Sequence, residues 1–193
     1  MPTNSAALRD LTRDALDEAT ARLIAGRMTP TAFARQMEAA IVRGHTAATI
    51  AGVAERSAPG RVRAWLTRLV GPVALSRDDR ARLAAAIGEQ RRYLLGFVQA
   101  LPTLTPAQIV ARAQLYAGAV RATYTRTRYA GWELPFAPGD GSTPCLGNCT
   151  CTAYVDEDGD TARYVWQLGA AEQHCTTCPT RAAGSPYRLE RRS

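Results

Sequence analysis

The sequence contains no lysine: all 24 basic residues of the 193-residue chain are arginine. It is also poor in histidine, with 2, and in the largest apolar rings, with 3 phenylalanines and 3 tryptophans. No apolar run approaches the roughly 18 residues that a membrane-spanning helix needs. The opening MetProThrAsnSerAlaAlaLeuArgAsp lacks the basic stretch followed by an apolar one that marks a secretory leader. Membrane insertion and export by signal peptide are therefore not expected. GxSxG, HExxH, Walker-type and GxGxxG patterns are absent, and no Ser, His and Asp residues fall into a recognisable catalytic arrangement. The length suits one or two small domains with a real core and is too short for a typical large catalytic barrel.

What is present is charge, unevenly placed. Residues 1–60 carry 7 arginines against 6 acids, residues 61–130 carry 12 against 3, residues 131–180 carry 1 against 7, and residues 181–193 carry 4 against 1. A GC-rich genome explains why the basic residue is arginine, but it does not explain a basic middle followed by an acidic segment. Such asymmetry gives separate surfaces to separate partners, since a basic face attracts phosphates or acidic proteins and an acidic one repels them. The chain divides accordingly into a body over 1–130 (1–60 near-neutral, 61–130 basic), an acidic module over 131–180 and a basic tail over 181–193.

The body reads as helices. Asn4 or Ser5 caps a first helix with Leu8, Leu11, Ala15, Ala19 and Leu23 on one stripe, ended by Gly26. Thr29 and Pro30 start a second, carrying Phe33, Met37 and Ile41 and running to about Ala54 before SerAlaProGly at 57–60. A shorter third helix carries Val62, Trp65, Leu66 and Leu69. Ser76 and Asp79 have capping-box spacing ahead of Leu83, Ile87, Leu94, Phe97 and Leu101. Pro102 interrupts that helix, and Thr105, Pro106 and Gln108 start another with Ile109, Ala113, Tyr116, Val120 and Tyr124. At helical spacing Phe33, Met37, Phe97 and Tyr116 are core packing rather than a cofactor pocket. His45 has no second ligand or carboxylate at a usable interval and reads as structural or solvent-facing.

ArgAlaThrTyrThrArgThrArgTyr at 121–129 interleaves arginines with tyrosines. Arg121, Arg126 and Arg128 are thus candidate nucleic-acid contacts, binding phosphate while rings stack on bases. The competing reading makes them the wet face of a helix whose Tyr124 points inward. Arg61, Arg63, Arg91 and Arg92 add to the basic surface, and acidic protein partners suit it equally.

All five cysteines lie between 145 and 178, joined by one of the two histidines. Cys175 and Cys178 form a CxxC, the spacing at which a tight turn lets two thiolates bind one ion. Cys145, Cys149 and Cys151 make the less regular CxxxCxC, in which Cys149 and Cys151 share a face if extended. Between the halves, ThrCysThrAlaTyrVal and ThrAlaArgTyrValTrpGlnLeu alternate as strands of a hairpin around AspGluAspGlyAsp at 156–160. That acidic turn resembles the start of a calcium loop but lacks the spaced ligands and closing glutamate. A lone hairpin is marginal in water, so a staple is needed. The candidate ligands are Cys145, Cys149, Cys151, His174, Cys175 and Cys178, and the expected cofactor is a structural Zn²⁺. Four thiolates leave no open position for water, and the odd cysteine count argues against disulfides. The fold class expected is mainly α, a helical bundle or elongated helical hairpins followed by a small zinc-stapled β-hairpin module.

An arginine-rich helix running into TrpGluLeuProPheAlaProGlyAspGlySerThrProCysLeuGlyAsnCysThrCys, then TyrValTrpGlnLeu, then HisCysThrThrCys, resembles the C-terminal part of tailed-phage minor head proteins, the head-morphogenesis proteins of the Mu gene F type. The resemblance covers about residues 87–180. It implies a non-enzymatic virion component with a helical body, present in several copies near the portal, contacting head or portal proteins and packaged DNA non-specifically. It also implies a location in the phage head, with host cytoplasm during assembly. The alternative reading is a zinc-containing nucleic-acid-binding regulatory protein, against which the acidic module argues. A hydrolase using His174 as base lacks a second histidine or a well-placed asparagine in the module.

Overall fold

The long helices begin where the sequence offers partners to their free amides. The computed structural model describes residues 4–57, 73–145, 149–159, 161–170 and 174–191. Helix α1 is Asn4–Ile24, α2 Pro30–Ser57, α3 Arg77–Ala100 and α4 Pro106–Arg128, with a 3-10 turn, Leu101–Thr103, where Pro102 interrupts the ladder. Thr29 Oγ1 accepts from Ala32 N (3.2 Å) at the start of α2. Thr105 and Gln108 form the reciprocal capping box of α4. At the end of α1, Gly26 takes φ +67, and the amides of Gly26 and Arg27 return to the carbonyls of Leu23 and Arg22. That closure requires a left-handed residue, which glycine provides without steric cost. The expected helix over Val62–Leu69 lies outside the described residues.

Ser76 caps α3 by accepting from Asp79 N (3.0 Å), but the Asp79 carboxylate does more than the expected capping box. It is 1% exposed and receives Arg56 from α2 (2.9 Å), Arg82 (2.7 Å) and the Ser76 hydroxyl (2.7 Å). Burial pushes this carboxyl up, yet the hydrogen bonds from Arg56, Arg82 and Ser76 outweigh it and hold it well below the usual carboxylate range. The buried acid thereby ties the start of α3 to the end of α2.

The main core forms where α1, α2, α3 and α4 meet: Leu16, Phe33, Met37, Ile41, Leu94, Phe97, Ile109, Ala113 and Tyr116 are all buried. Phe97 meets Phe33 edge-on at 5.9 Å and stacks on Tyr116 at 6.3 Å between ring centres. The readings of Phe33, Met37, Phe97 and Tyr116 as packing residues are borne out. His45 is also interior, 1% exposed, with Nδ1 2.8 Å from Thr123 Oγ1; burial lowers its pKa to about 4.

The last third is a three-stranded antiparallel sheet with one short helix. Strand β1 is Thr152–Asp158, β2 Thr161–Gln167, helix α5 Thr177–Ala183 and β3 Tyr187–Leu189, in sheet order β1-β2-β3. The strands reach closer to the turn than expected, pairing Asp158 with Thr161, because Gly159 at φ +59 lets the chain reverse tightly. Asp156 sits opposite Arg163 and binds it at 3.0 Å, so part of the acidic run serves the sheet. The stretch expected as a basic tail instead completes the sheet, since Leu189 is buried opposite Ala162 and Arg191 bridges to Trp132. Ala162, Tyr164 and Trp166 alternate inward on β2 and, with Trp132, Leu189 and three cysteines, make a second core. No helix among the described residues is long and apolar enough to cross a membrane.

Two outcomes follow for stability. Asp79→Asn leaves two arginines facing a neutral side chain and lowers stability by about 2 kcal/mol, read from urea denaturation at neutral pH. The wild-type contribution of Asp79 persists down to about pH 4, the unfolded carboxylate range, and is lost below it. For His45, whose folded value lies below its unfolded one, the unfolded chain binds the extra proton. Stability therefore falls as pH drops from about 6.5 to 4, by on the order of 3 kcal/mol, and the slope difference between wild type and His45→Gln isolates it.

Candidate metal centre

Three separate stretches of chain bring the cysteines together. Cys145 lies in the linker after α4, Cys149 and Cys151 precede β1, Cys175 precedes α5 and Cys178 lies in its first turn. The turn is closed by Cys178 N donating to Cys175 O at 3.3 Å. The sulfur separations are 3.3 Å for Cys175–Cys178, 3.5 Å for Cys145–Cys175, 3.9 Å for Cys145–Cys178 and 3.8 Å for Cys149–Cys178. All five thiols are free. Two sulfur triads result, Cys145/Cys175/Cys178 and Cys149/Cys151/Cys178, and they share Cys178.

These clusters can hold a metal ion. Four sulfurs around a metal with bonds of about 2.3 Å stand about 3.8 Å apart, and the four observed separations bracket that edge length. Cys145, Cys175 and Cys178 have the spacing of one face of such a tetrahedron, and Cys149 reaches the same Cys178 at the edge distance while grouping with Cys151 in the second triad. Cys149, Cys151 and Cys178 are nearly inaccessible to solvent, at 1–2% exposure.

The protonation chemistry of the bare thiols suits a cation. Burial pushes Cys178 strongly up and Cys149 to about 12, so without a metal both stay protonated. Cys175 differs: burial raises it, but hydrogen bonding with Cys178 and Cys145 together outweighs that and brings it down to about 7. One thiolate forms readily, and ionising its neighbours requires a positive charge between them.

Helix α4 supplies a second element. Arg121 is 3% exposed, and its two terminal nitrogens donate to the backbone carbonyls of Cys149 (2.8 Å) and Cys151. This side chain was a candidate phosphate contact, but it faces inward to the cysteine loop. Arg126 pairs with Asp140 at 3.0 Å, and Arg128 with Glu55 at 2.9 Å while lying over the Tyr129 ring. Tyr124 points inward and its hydroxyl donates to Glu55. Within the 121–129 stretch Arg121 is buried, Arg128 is half-buried and Arg126 is exposed, and each has a partner within the chain. His174 is half-buried and belongs to neither sulfur triad.

Two features escaped sequence reasoning: the helix α5 that orients Cys178, and the inward course of Arg121. The second had a signal, because Arg121 lies four residues from both Ala117 and Thr125, on a run of positions that are all buried. Gly139 fixes how the linker leaves α4. It has φ +84, and any side chain there would strike the Gly118 carbonyl at 2.4 Å.

Known protein families, curated proteins and solved structures contain no match to this chain.

If the shared sulfur organises the centre, Cys178→Ser abolishes uptake of a thiophilic metal and Cys149→Ser reduces it at least tenfold. Cys151→Ser retains one equivalent per chain in elemental analysis. Equal retention by all three would contradict the ligand geometry.

Proposed function

We propose that this chain is a non-enzymatic binding protein whose C-terminal module is stapled by one structural Zn²⁺, held by Cys145, Cys149, Cys175 and Cys178. The convergence of five sulfurs from three chain segments on Cys178 carries this reading. Thiolate ligands favour zinc over calcium or magnesium, which take oxygen donors. A four-thiolate shell leaves no position for water, so the ion has no hydroxide to deliver and its role is to fold the module. Binding of that kind supplies roughly 10 kcal/mol or more to a sheet too small to be secure alone.

For the partner, the observations favour nucleic acid. The metal half of a zinc-containing nucleic-acid-binding regulatory protein is supported by the sulfur clusters. The phosphate-binding half is supported by Arg77, Arg92 and Arg112, which are exposed and make no ion pair among the described residues. Several arginines of the basic middle are spent internally, which limits the binding to a few phosphates. The head-morphogenesis reading is supported by the sequence resemblance over about residues 87–180 alone. It draws on the same chemistry, since a protein facing packaged DNA binds phosphate without reading bases.

Fluorescence anisotropy on several unrelated duplexes separates these readings. Zinc-loaded protein binds at low salt with a log–log salt slope of about −3, and Arg92→Ala or Arg112→Ala each lower its magnitude by about 0.9. Loss of sequence preference at every salt, together with the protein's presence in purified phage particles by mass spectrometry, supports the head reading. A preference that survives raised salt supports the regulator. No binding to any duplex at low salt contradicts both nucleic-acid readings.

A further inference from the structure

Arg121 is a buried cation with no carboxylate paired to it among the described residues. Every other interior ion pair of the body has its acid: Asp79 receives Arg56 and Arg82, and Glu55 receives Arg128. Among the described residues the hydrogen-bond acceptors of Arg121 are two carbonyls, those of Cys149 and Cys151, and the Arg9 guanidinium that acts on it is itself paired with Asp10 at 2.8 Å. A guanidinium does not escape burial by losing its proton, because its intrinsic pKa is too high. Leaving such a charge unpaired in the interior is costly, so the surroundings must supply negative charge once folded.

The cysteine cluster is where that charge arises. A divalent metal in four thiolates keeps a net charge of −2, and the cluster's Cys149 lies in the chain segment that Arg121 grips. We infer that Arg121 is the charge-balancing positioning residue of the metal–thiolate centre, so that a side chain of the helical body sets the affinity of the C-terminal module for its metal. The inference rests on the zinc reading above. It assigns the guanidinium two tasks: its hydrogen bonds hold the carbonyls on either side of Thr150, which fixes the Cys149 thiolate, and its charge offsets part of the dianion. Outer partners of this kind typically alter metal affinity by 10- to 100-fold. Reciprocally, metal loading favours the docked position of Arg121 and therefore the contact between module and α4.

The test compares full-length wild type with Arg121→Gln and Arg121→Lys. Both replacements keep a donor for the carbonyls, and only lysine keeps the charge. Zinc affinity is measured by competition with a chromophoric chelator, and Co²⁺ replaces zinc for absorption spectra. Gln is expected to weaken zinc binding at least tenfold and to move the sulfur-to-cobalt charge-transfer band to longer wavelength, because thiolates without a nearby cation release electrons more easily. Lys is expected to stay within about threefold of wild type with an unshifted band. Equal affinities and identical bands for Gln and Lys would overturn the inference and leave the zinc reading standing. Failure of both variants to fold in excess zinc would also overturn it, by showing that the guanidinium acts through packing. If wild type itself takes up no metal, the zinc reading falls and this inference with it.

Discussion

Five sulfurs gather in two triads that share the buried Cys178, and thiols packed this closely hold together weakly by themselves. Protonated, they offer each other weak hydrogen bonds across 3.3–3.9 Å. Ionised, they repel in a site where burial already resists charge. A cation between them resolves both difficulties, and the rest of the module follows. The α5 turn exists to bring Cys175 and Cys178 to the same point, and the chain before β1 runs where Cys149 can reach it. The sheet core of Tyr164, Trp166 and Leu189 then packs against the inner side of the cluster. Phe136 meets Tyr164, Trp166 and Tyr187 edge-on and carries the Arg181 guanidinium 3.9 Å above its ring, closing the other side.

Helix α4 links this centre to the bundle because it is buried on two faces. Ile109, Ala113, Tyr116 and Val120 serve the bundle and Thr127 packs toward Gly52 of α2, while Arg121 serves the cysteine loop. An amphipathic helix has one dry stripe, and one that is dry nearly all round has partners on both sides. Its ends are fixed separately, by the Thr105–Gln108 box at the start and by the close approach of Gly139 to Gly118 further along. The geometry of the junction is thus set by backbone contacts, on which the Arg121 charge acts.

Much of the helical body was legible. Its caps and breakers are local signals, and Thr29, Thr105, Pro102 and Gly26 each act on residues no more than a turn away. Its core stripe was legible for the same reason, as Phe33, Met37, Phe97 and Tyr116 show. The site was legible as a set of candidate ligands but not as a geometry. Cys145, part of the less regular CxxxCxC half, lies in a triad with Cys175 and Cys178, whereas His174 lies in neither triad. Arg121, Arg126 and Arg128 look alike in sequence, and their different fates depend on Cys149, Asp140 and Glu55, which are distant along the chain. Strand β3 was missed because TyrArgLeu is too short to show alternation, and only its pairing with Ala162 and Tyr164 makes it a strand.

The central claim is that one metal ion, bound by sulfur, holds the module together against the body. X-ray absorption at the zinc edge of the purified full-length protein tests it most directly. The account predicts a single zinc per chain with four sulfur neighbours at about 2.3 Å. A first shell dominated by nitrogen or oxygen, or protein that folds to the same stability with no metal bound, would contradict it.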